Sequence, residues 1–183
     1  MRVVLLFAAS MVLAWTSATT AQTDKIGLYS DAAYANCQLV DNASGPVTVY
    51  VVHHISSGAT ASQFMVREGS GVLLNYLGHT SDFSLIIGDP PSGMAVAYEA
   101  CLFSDVLVTR LNYFKTGSSS ACSSIQIVAS PTAVSGSVQS VDCYENRMGI
   151  SGSRLVINPD GTCACGPTSE ETNWGKIKDR FRD

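Results

Sequence analysis

Short runs of β-branched and aromatic residues recur along this chain of 183 residues, and clusters of Gly, Pro, Ser and Asn separate them. Alternation of apolar and polar positions in such runs is typical of strands, because successive side chains point to opposite faces. The pattern predicts about nine strands: Ile26–Tyr29, Pro46–Ile55, Gln63–Arg67, Phe83–Ile87, Met94–Tyr98, Val106–Phe114, Ser124–Ala129, Ser137–Asp142 and Arg154–Asn158.

No helical pattern lies between these runs to cover a parallel sheet, so the sequence predicts an all-β fold, an antiparallel β-sandwich. The turn sequence Asn158-Pro159-Asp160-Gly161 should end the last strand, because Pro presets φ and Gly accepts a positive φ. The apolar positions that we expect in the core include Val47, Val49, Val51, Ile86, Val96, Leu107, Leu111, Ile127 and Val156.

One helical pattern occurs, at the C-terminal end of the chain. Trp174, Ile177 and Phe181 recur at helical spacing, and acidic residues precede basic ones, as the helix dipole prefers. Such a short helix would fray in isolation, so its apolar stripe needs a docking surface. That surface belongs either to this protein's own sandwich or to a partner.

Residues 1–21 carry the pattern of a secretory signal peptide: Arg2 precedes an apolar run from Val3 to Trp15, and small residues lead to Ala21. The run is shorter than the ~20 residues that span a bilayer as a helix, and no later run approaches that length. We therefore expect a signal peptide over residues 1–21, a β-sandwich domain over residues 22–168 and a helical tail over residues 169–183. The expected location is secreted, periplasmic or extracellular, without a transmembrane segment.

Six cysteines follow the predicted leader: Cys37, Cys101, Cys122, Cys143, Cys163 and Cys165. Export would place these thiols in an oxidising compartment, so the sequence predicts three disulfides and no free thiol. A hairpin of Ser124–Ala129 with Ser137–Asp142 would place Cys122 opposite Cys143, and that is the one pair we predict. Cys163 and Cys165 would then reach Cys37 and Cys101, in an order that the pattern leaves open.

Groups that could carry chemistry are few. His53 and His54 are adjacent on a predicted strand, so their rings should point to opposite faces and cannot share a metal ion. His79 lies alone near a turn, and the spacing of Cys163 and Cys165 is shorter than zinc motifs use. The sequence therefore predicts no metal site and no cofactor.

No catalytic residue stands out either. The chain has no nucleophile-elbow motif, and its acids Glu68, Glu99 and Glu145 are isolated among neutral residues. The charged fraction is only 14%, the formal net charge is −4, and basic residues cluster only at Lys176–Arg182. These four cations are too few for a nucleic-acid footprint.

Several segments resemble those of uncharacterised exported bacterial proteins: IGLYSDAAYANC near the start, VDC after Pro131–Gly136, INPDGTCAC, and the closing NWGKIKDRFRD. The domain of those proteins resembles the cohesin/carbohydrate-binding-like β-sandwich. The resemblance implies a sandwich and an extracellular location. It carries over no catalytic residue and no dockerin-binding or sugar-binding position, and the six cysteines depart from ordinary cohesins.

Two classes of function fit these observations. The first is a secreted or envelope-associated, non-catalytic module that binds an extracellular protein or glycan or serves a structural role. The alternative is a small disulfide-stabilised secreted enzyme or inhibitor that acts on extracellular polymers. Strands and disulfides without a recognisable reactive constellation favour the first class.

Overall fold

The computed structural model of the protein describes residues 24–166, which form twelve β-strands. In chain order they are β1 (Lys25–Tyr29), β2 (Gln38–Leu39), β3 (Gly45–His54), β4 (Ala59–Glu68), β5 (Leu74–Thr80), β6 (Leu85–Asp89), β7 (Gly93–Leu102), β8 (Val106–Lys115), β9 (Ser123–Val128), β10 (Val138–Val141), β11 (Arg147–Gly152) and β12 (Arg154–Ile157). The predicted leader over residues 1–21 and the predicted tail over residues 169–183 lie outside the described residues. Across residues 24–166, no helix is long and apolar enough to cross a membrane.

The strands form two layers around one core. In the first layer β3 pairs antiparallel with β1 and β8, and β5 extends β8. β11 joins the two layers, because its first part pairs antiparallel with β10 and its last two residues run parallel to β1. In the second layer β4 pairs antiparallel with β7, β9 and β10, while β6 extends β7 and β12 extends β9. Buried side chains of both layers form a single hydrophobic cluster, including Val49 and Val51 of β3 and Phe64 of β4. The predicted all-β sandwich is confirmed, with three more strands than predicted.

Eight of the nine predicted core positions are buried or pack against the core. Val47 and Ile86 are partly buried against it, and the exception is Leu107, which is half-buried and lies outside the hydrophobic cluster. A β-bulge explains this error: the β3–β8 register shifts between Val51 and Val52, so the alternation along β8 breaks there. Val108 occupies the core instead of Leu107.

The three disulfides join Cys37 to Cys165, Cys101 to Cys143, and Cys122 to Cys163, so none of the six cysteines is free. The predicted number is confirmed, but the predicted Cys122–Cys143 pair is wrong. That pair was predicted from a hairpin of β9 with β10, and the two strands do not form one. Each pairs antiparallel with β4, so the two run in the same direction. Cys122 precedes β9 and Cys143 follows β10, which places them near opposite ends of β4, more than about 20 Å apart.

A buried carboxylate connects the loops at one end of the sandwich. Asp41 is fully buried and accepts hydrogen bonds from the Ser119 backbone N–H at 3.0 Å and from Asn158 Nδ2 at 2.6 Å. The Ser119 hydroxyl also donates to it. Asn158 has a positive φ of 49° in the predicted Asn-Pro-Asp-Gly turn, and β12 ends just before it, as expected. The network holds three loops distant in sequence in one arrangement.

Candidate functional site

The outer face of the second layer is an open surface that includes three alanines and one glycine. Side chains directly opposite each other on antiparallel strands share a face, so the strand registers define two rows across this layer. One row is Leu85, Ala97, Ala61, Val141 and Arg147, and the next is Ile87, Ala95, Gln63, Gln139 and Gly149. We call these ten residues the small-residue face.

Local sequence explains why this face points outward. Along β7 the buried residues Met94, Val96 and Tyr98 alternate with the half-buried Ala95 and Ala97, as expected for a strand with one face in the core. The Asp89–Gly93 turn, which contains two prolines, folds β6 back on β7. Small side chains on the outer face leave the sheet surface flat.

The β6 margin of the face is its most exposed apolar part. Leu85 is 56% exposed and Ile87 is 69% exposed, although both are large aliphatic side chains. Within the described residues β6 pairs with β7 alone, so it is an edge strand. An exposed apolar edge beside a flat sheet favours contact with another macromolecule.

The loop between β9 and β10 packs beside the polar residues Gln63 and Gln139 of the face. Gln63 Nε2 donates to Thr132 Oγ1 at 2.8 Å, and Gln139 Nε2 donates to Ser135 Oγ at 3.0 Å. An open depression of about 320 Å³ lies between this loop and the sheet, with Arg147 at its margin. Polar groups are therefore available beside the apolar margin, which is the composition of a protein-binding surface.

The three histidines are not among the ten residues of this face, and each has its own hydrogen-bond partners. His54 Nδ1 donates to Asp105 Oδ2 at 2.7 Å, and its Nε2 accepts from the Tyr29 hydroxyl at 2.6 Å. His53, on the same strand, shares a hydrogen bond of 2.9 Å with the Tyr98 hydroxyl in the interior. The prediction that the rings of His53 and His54 point to opposite faces is confirmed, and each ring has its own partners.

The chain of Tyr29, His54 and Asp105 has the order of a nucleophile, a base and an orienting acid. A nucleophilic tyrosine would need a lowered pKa, yet burial and then the Asp105 charge raise the pKa of Tyr29. The Tyr29 ring also lies over Gly27, where an added Cβ would meet it at 2.6 Å. The hydrogen bonds therefore fix the Tyr29 ring over the glycine, and this geometry points to packing.

His79 lies elsewhere, with its Nδ1 at 3.1 Å from the Tyr76 hydroxyl and 3.5 Å from Asp89 Oδ1. Among residues 24–166, the side chains close enough to share a metal ion are Cys122, Asp160 and Cys163. Cys122 and Cys163 are joined in a disulfide, so their sulfurs are not available as thiolate ligands.

Glu68 and Glu99 do not form the carboxylate pair of a glycosidase. Glu68 ends β4, whereas Glu99 follows Ala97, which pairs with Ala61 near the start of β4. At ~3.3 Å per residue the two are separated by more than about 20 Å, far beyond the span of a paired acid and base. Glu145 lies in the turn between β10 and β11.

Sequence reasoning missed the small-residue face, and the tail residues that it did single out lie outside the described residues. Those residues are Trp174, Ile177 and Phe181, whose docking stays a prediction. The alternation of small and large residues along β7 indicates an outward side of that one strand, but the neighbouring strands of the face come from distant parts of the sequence. Only the strand registers bring Leu85, Ala61 and Val141 together.

Two solved structures resemble this domain with a TM-score of 0.50. One is a non-cellulosomal cohesin from the archaeon Archaeoglobus fulgidus, at 9% identity over 74% of this chain and 91% of that one. The other is a cohesin module from a Clostridium perfringens family 33 glycoside hydrolase, at 9% identity over 75% of this chain and 98% of that one. No protein-family model and no curated protein sequence matches the chain. The similarity shows a cohesin-like fold, which confirms the sandwich implied by the sequence resemblance.

Proposed function

We propose that this protein is an exported, non-catalytic module that binds a partner protein through the small-residue face. The observation that carries the proposal is the exposure of Leu85 and Ile87 beside Ala95 and Ala97 on an open sheet. Burying exposed aliphatic side chains contributes about 25 cal/mol per Å² of apolar surface removed from water. A complementary flat partner would cover the β6 margin and the three alanines of the face together.

A protein partner fits this face better than a glycan. The ten residues of the face include no aromatic ring on which a sugar could stack, and the surface is open instead of forming a pocket that encloses a small ligand. The half-buried Tyr29, Tyr34 and Tyr50 lie together, but on the first layer and packed against one another, with ring centroids about 6 Å apart. Both similar structures are named as cohesins, and this fold-level analogy agrees with the proposal without carrying it.

The disulfides support action outside the cytosol. Three disulfides join distant parts of the domain, and such bonds form and persist in oxidising compartments. Together with the predicted leader over residues 1–21, they favour secretion. Intact-mass analysis of the protein from the medium or periplasm should give a chain that begins after Ala21, and recovery of the chain beginning at Met1 would contradict export.

Site-specific crosslinking tests the binding face. A photo-reactive amino acid placed at position 87 should crosslink a defined protein from the native extracellular fraction, which mass spectrometry of the crosslinked peptides identifies. The matched control position is Leu77 on β5, whose side chain is 65% exposed and belongs to the other layer. Position 77 should give no crosslink to that protein. Equal crosslinking at both positions, or transfer to polysaccharide alone, would contradict the proposal.

A further inference from the structure

A second cavity lies where the described chain ends. It has a volume of about 310 Å³ and adjoins the Cys37–Cys165 disulfide, with Gly166 in its lining. The Arg154 backbone N–H donates to the Gly166 carbonyl at 3.2 Å, and this bond holds Gly166, the last described residue, against β12. Lys25, Tyr29 and Arg154 also line the cavity.

The cavity holds positive charge without a counterion among residues 24–166. Its lining includes the cations Lys25 and Arg154 and no carboxylate. Within the described residues neither cation has a salt bridge, and Arg154 Nε is buried without a hydrogen-bond partner. A buried guanidinium N–H without an acceptor is costly, so the site is suited to a carboxylate that accepts from Arg154.

The chain itself supplies carboxylates within reach. Seventeen residues follow Gly166, and Glu170 and Glu171 are the first acids among them. Four residues span at most about 13 to 14 Å when extended, so Glu170 can reach Arg154 from an end that already lies in the cavity. A tethered carboxylate also has a high effective concentration, which an acidic group on another molecule lacks.

Glu170 also lies on the apolar stripe of the predicted tail helix. Residues 170, 174, 177 and 181 are spaced i, i+4, i+7 and i+11, so in a helix Glu170, Trp174, Ile177 and Phe181 share one face. Glu171 falls about 100° away from Glu170 around the helix. A helix that seats Glu170 in the cavity therefore turns Trp174 toward the same domain surface.

We propose that the C-terminal segment over residues 167–183 docks on its own domain, with the Glu170 carboxylate pairing with Arg154 in the cavity. Lys25 adds a second positive charge at the site, and Trp174, Ile177 and Phe181 pack next to it. The docked tail covers the Cys37–Cys165 disulfide. This inference stands apart from the proposed binding face, since Lys25 and Arg154 lie on β1 and β12, which contribute no residue to that face.

Tryptophan fluorescence tests the docking directly. The chain has two tryptophans, so the full chain carrying Trp15→Phe, like a chain cleaved after Ala21, keeps Trp174 as its single tryptophan. We expect blue-shifted emission and weak quenching by acrylamide, independent of protein concentration. Glu170→Gln and Arg154→Gln should each shift the emission to the red and raise the quenching constant severalfold. The matched controls Glu171→Gln and Arg147→Gln should leave both readings unchanged.

The opposite results overturn the inference. Solvent-exposed Trp174 in the parent chain, or a Glu170→Gln variant with unchanged quenching, would show that the pair does not hold the tail. Burial of Trp174 that grows with protein concentration would assign the cavity to a second copy. If Arg154→Gln fails to fold, the Glu170→Gln result decides alone, because that substitution leaves the described domain intact. The exchanged pair Arg154→Glu with Glu170→Arg should restore part of the blue shift.

Discussion

Acid should destabilise this domain through His53. The side chain is fully buried, and its Nε2 has no hydrogen-bond partner among the described residues. Burial lowers the pKa of His53 from its ordinary 6.5 to about 4, although the Asp24 charge opposes part of this shift. The native protein therefore holds the neutral imidazole, whereas the unfolded chain binds a proton below pH 6.5.

The sign and size of the effect follow from linkage. Stability from the neutral ring is fully present above pH 6.5 and is lost as the pH falls toward the folded pKa of about 4. Each unit of pKa difference corresponds to about 1.4 kcal/mol, so the loss reaches about 2.5 kcal/mol by pH 4.5. That is a large share of the 5 to 15 kcal/mol that typically separates folded from unfolded domains.

Urea unfolding at pH 7.5 and at pH 4.5 measures this loss. His53→Asn removes the titrating ring while keeping a polar atom near the Tyr98 hydroxyl, so this variant should lose about 2.5 kcal/mol less than the parent between the two pH values. His79→Asn, a partly exposed histidine, is the control and should keep the loss assigned to His53. An equal pH dependence in the parent and His53→Asn would refute the reasoning.

Three further sets of substitutions test the packing of the domain. Asp41→Ala should lower the free energy of unfolding by roughly 2 to 4 kcal/mol, because it leaves the Ser119 and Asn158 donors without their acceptor. Urea unfolding measures this change. Gly152→Ala should strongly destabilise the fold, because the added Cβ would lie 2.2 Å from the Ile127 carbonyl oxygen. The Cβ added by Gly166→Ala would have no atom within 4 Å, so that variant is the control. Equal melting temperatures for these two would contradict the clash. Replacing Cys37 and Cys165 by Ser should cost about 5 kcal/mol, more than the about 4 kcal/mol for Cys101 and Cys143, because the closed loop is longer. The reverse order of thermal stabilities would contradict the chain-entropy argument.

The sequence predicted strands where apolar and polar residues alternate clearly, as in Pro46–Ile55, which corresponds to β3. It missed β2, which has only two residues, and it missed β5 and β11, whose glycines and polar residues interrupt the apolar pattern. Their strand conformation depends on pairing with β12, β8 and β10, and such tertiary contacts override weak local preference.

Pairing partners were harder to predict than strands. Neighbours in sequence favour a hairpin of β9 with β10, but both strands pair with β4, and this one error produced the wrong cysteine pair. The small-residue face depends on the same long-range registers, since each of its rows takes one residue from each of five strands. The composition of a single strand therefore could not reveal the face.

The central claim is that the small-residue face binds a protein, and the affinity of Ile87→Asp tests it most directly. Calorimetric titration of the partner identified by crosslinking should show at least about tenfold weaker binding than the parent, or about 1.4 kcal/mol, because a charge would enter the apolar contact. Leu77→Asp, on the other layer, should bind like the parent. Unchanged affinity for Ile87→Asp, or an equal loss for Leu77→Asp, would contradict the account.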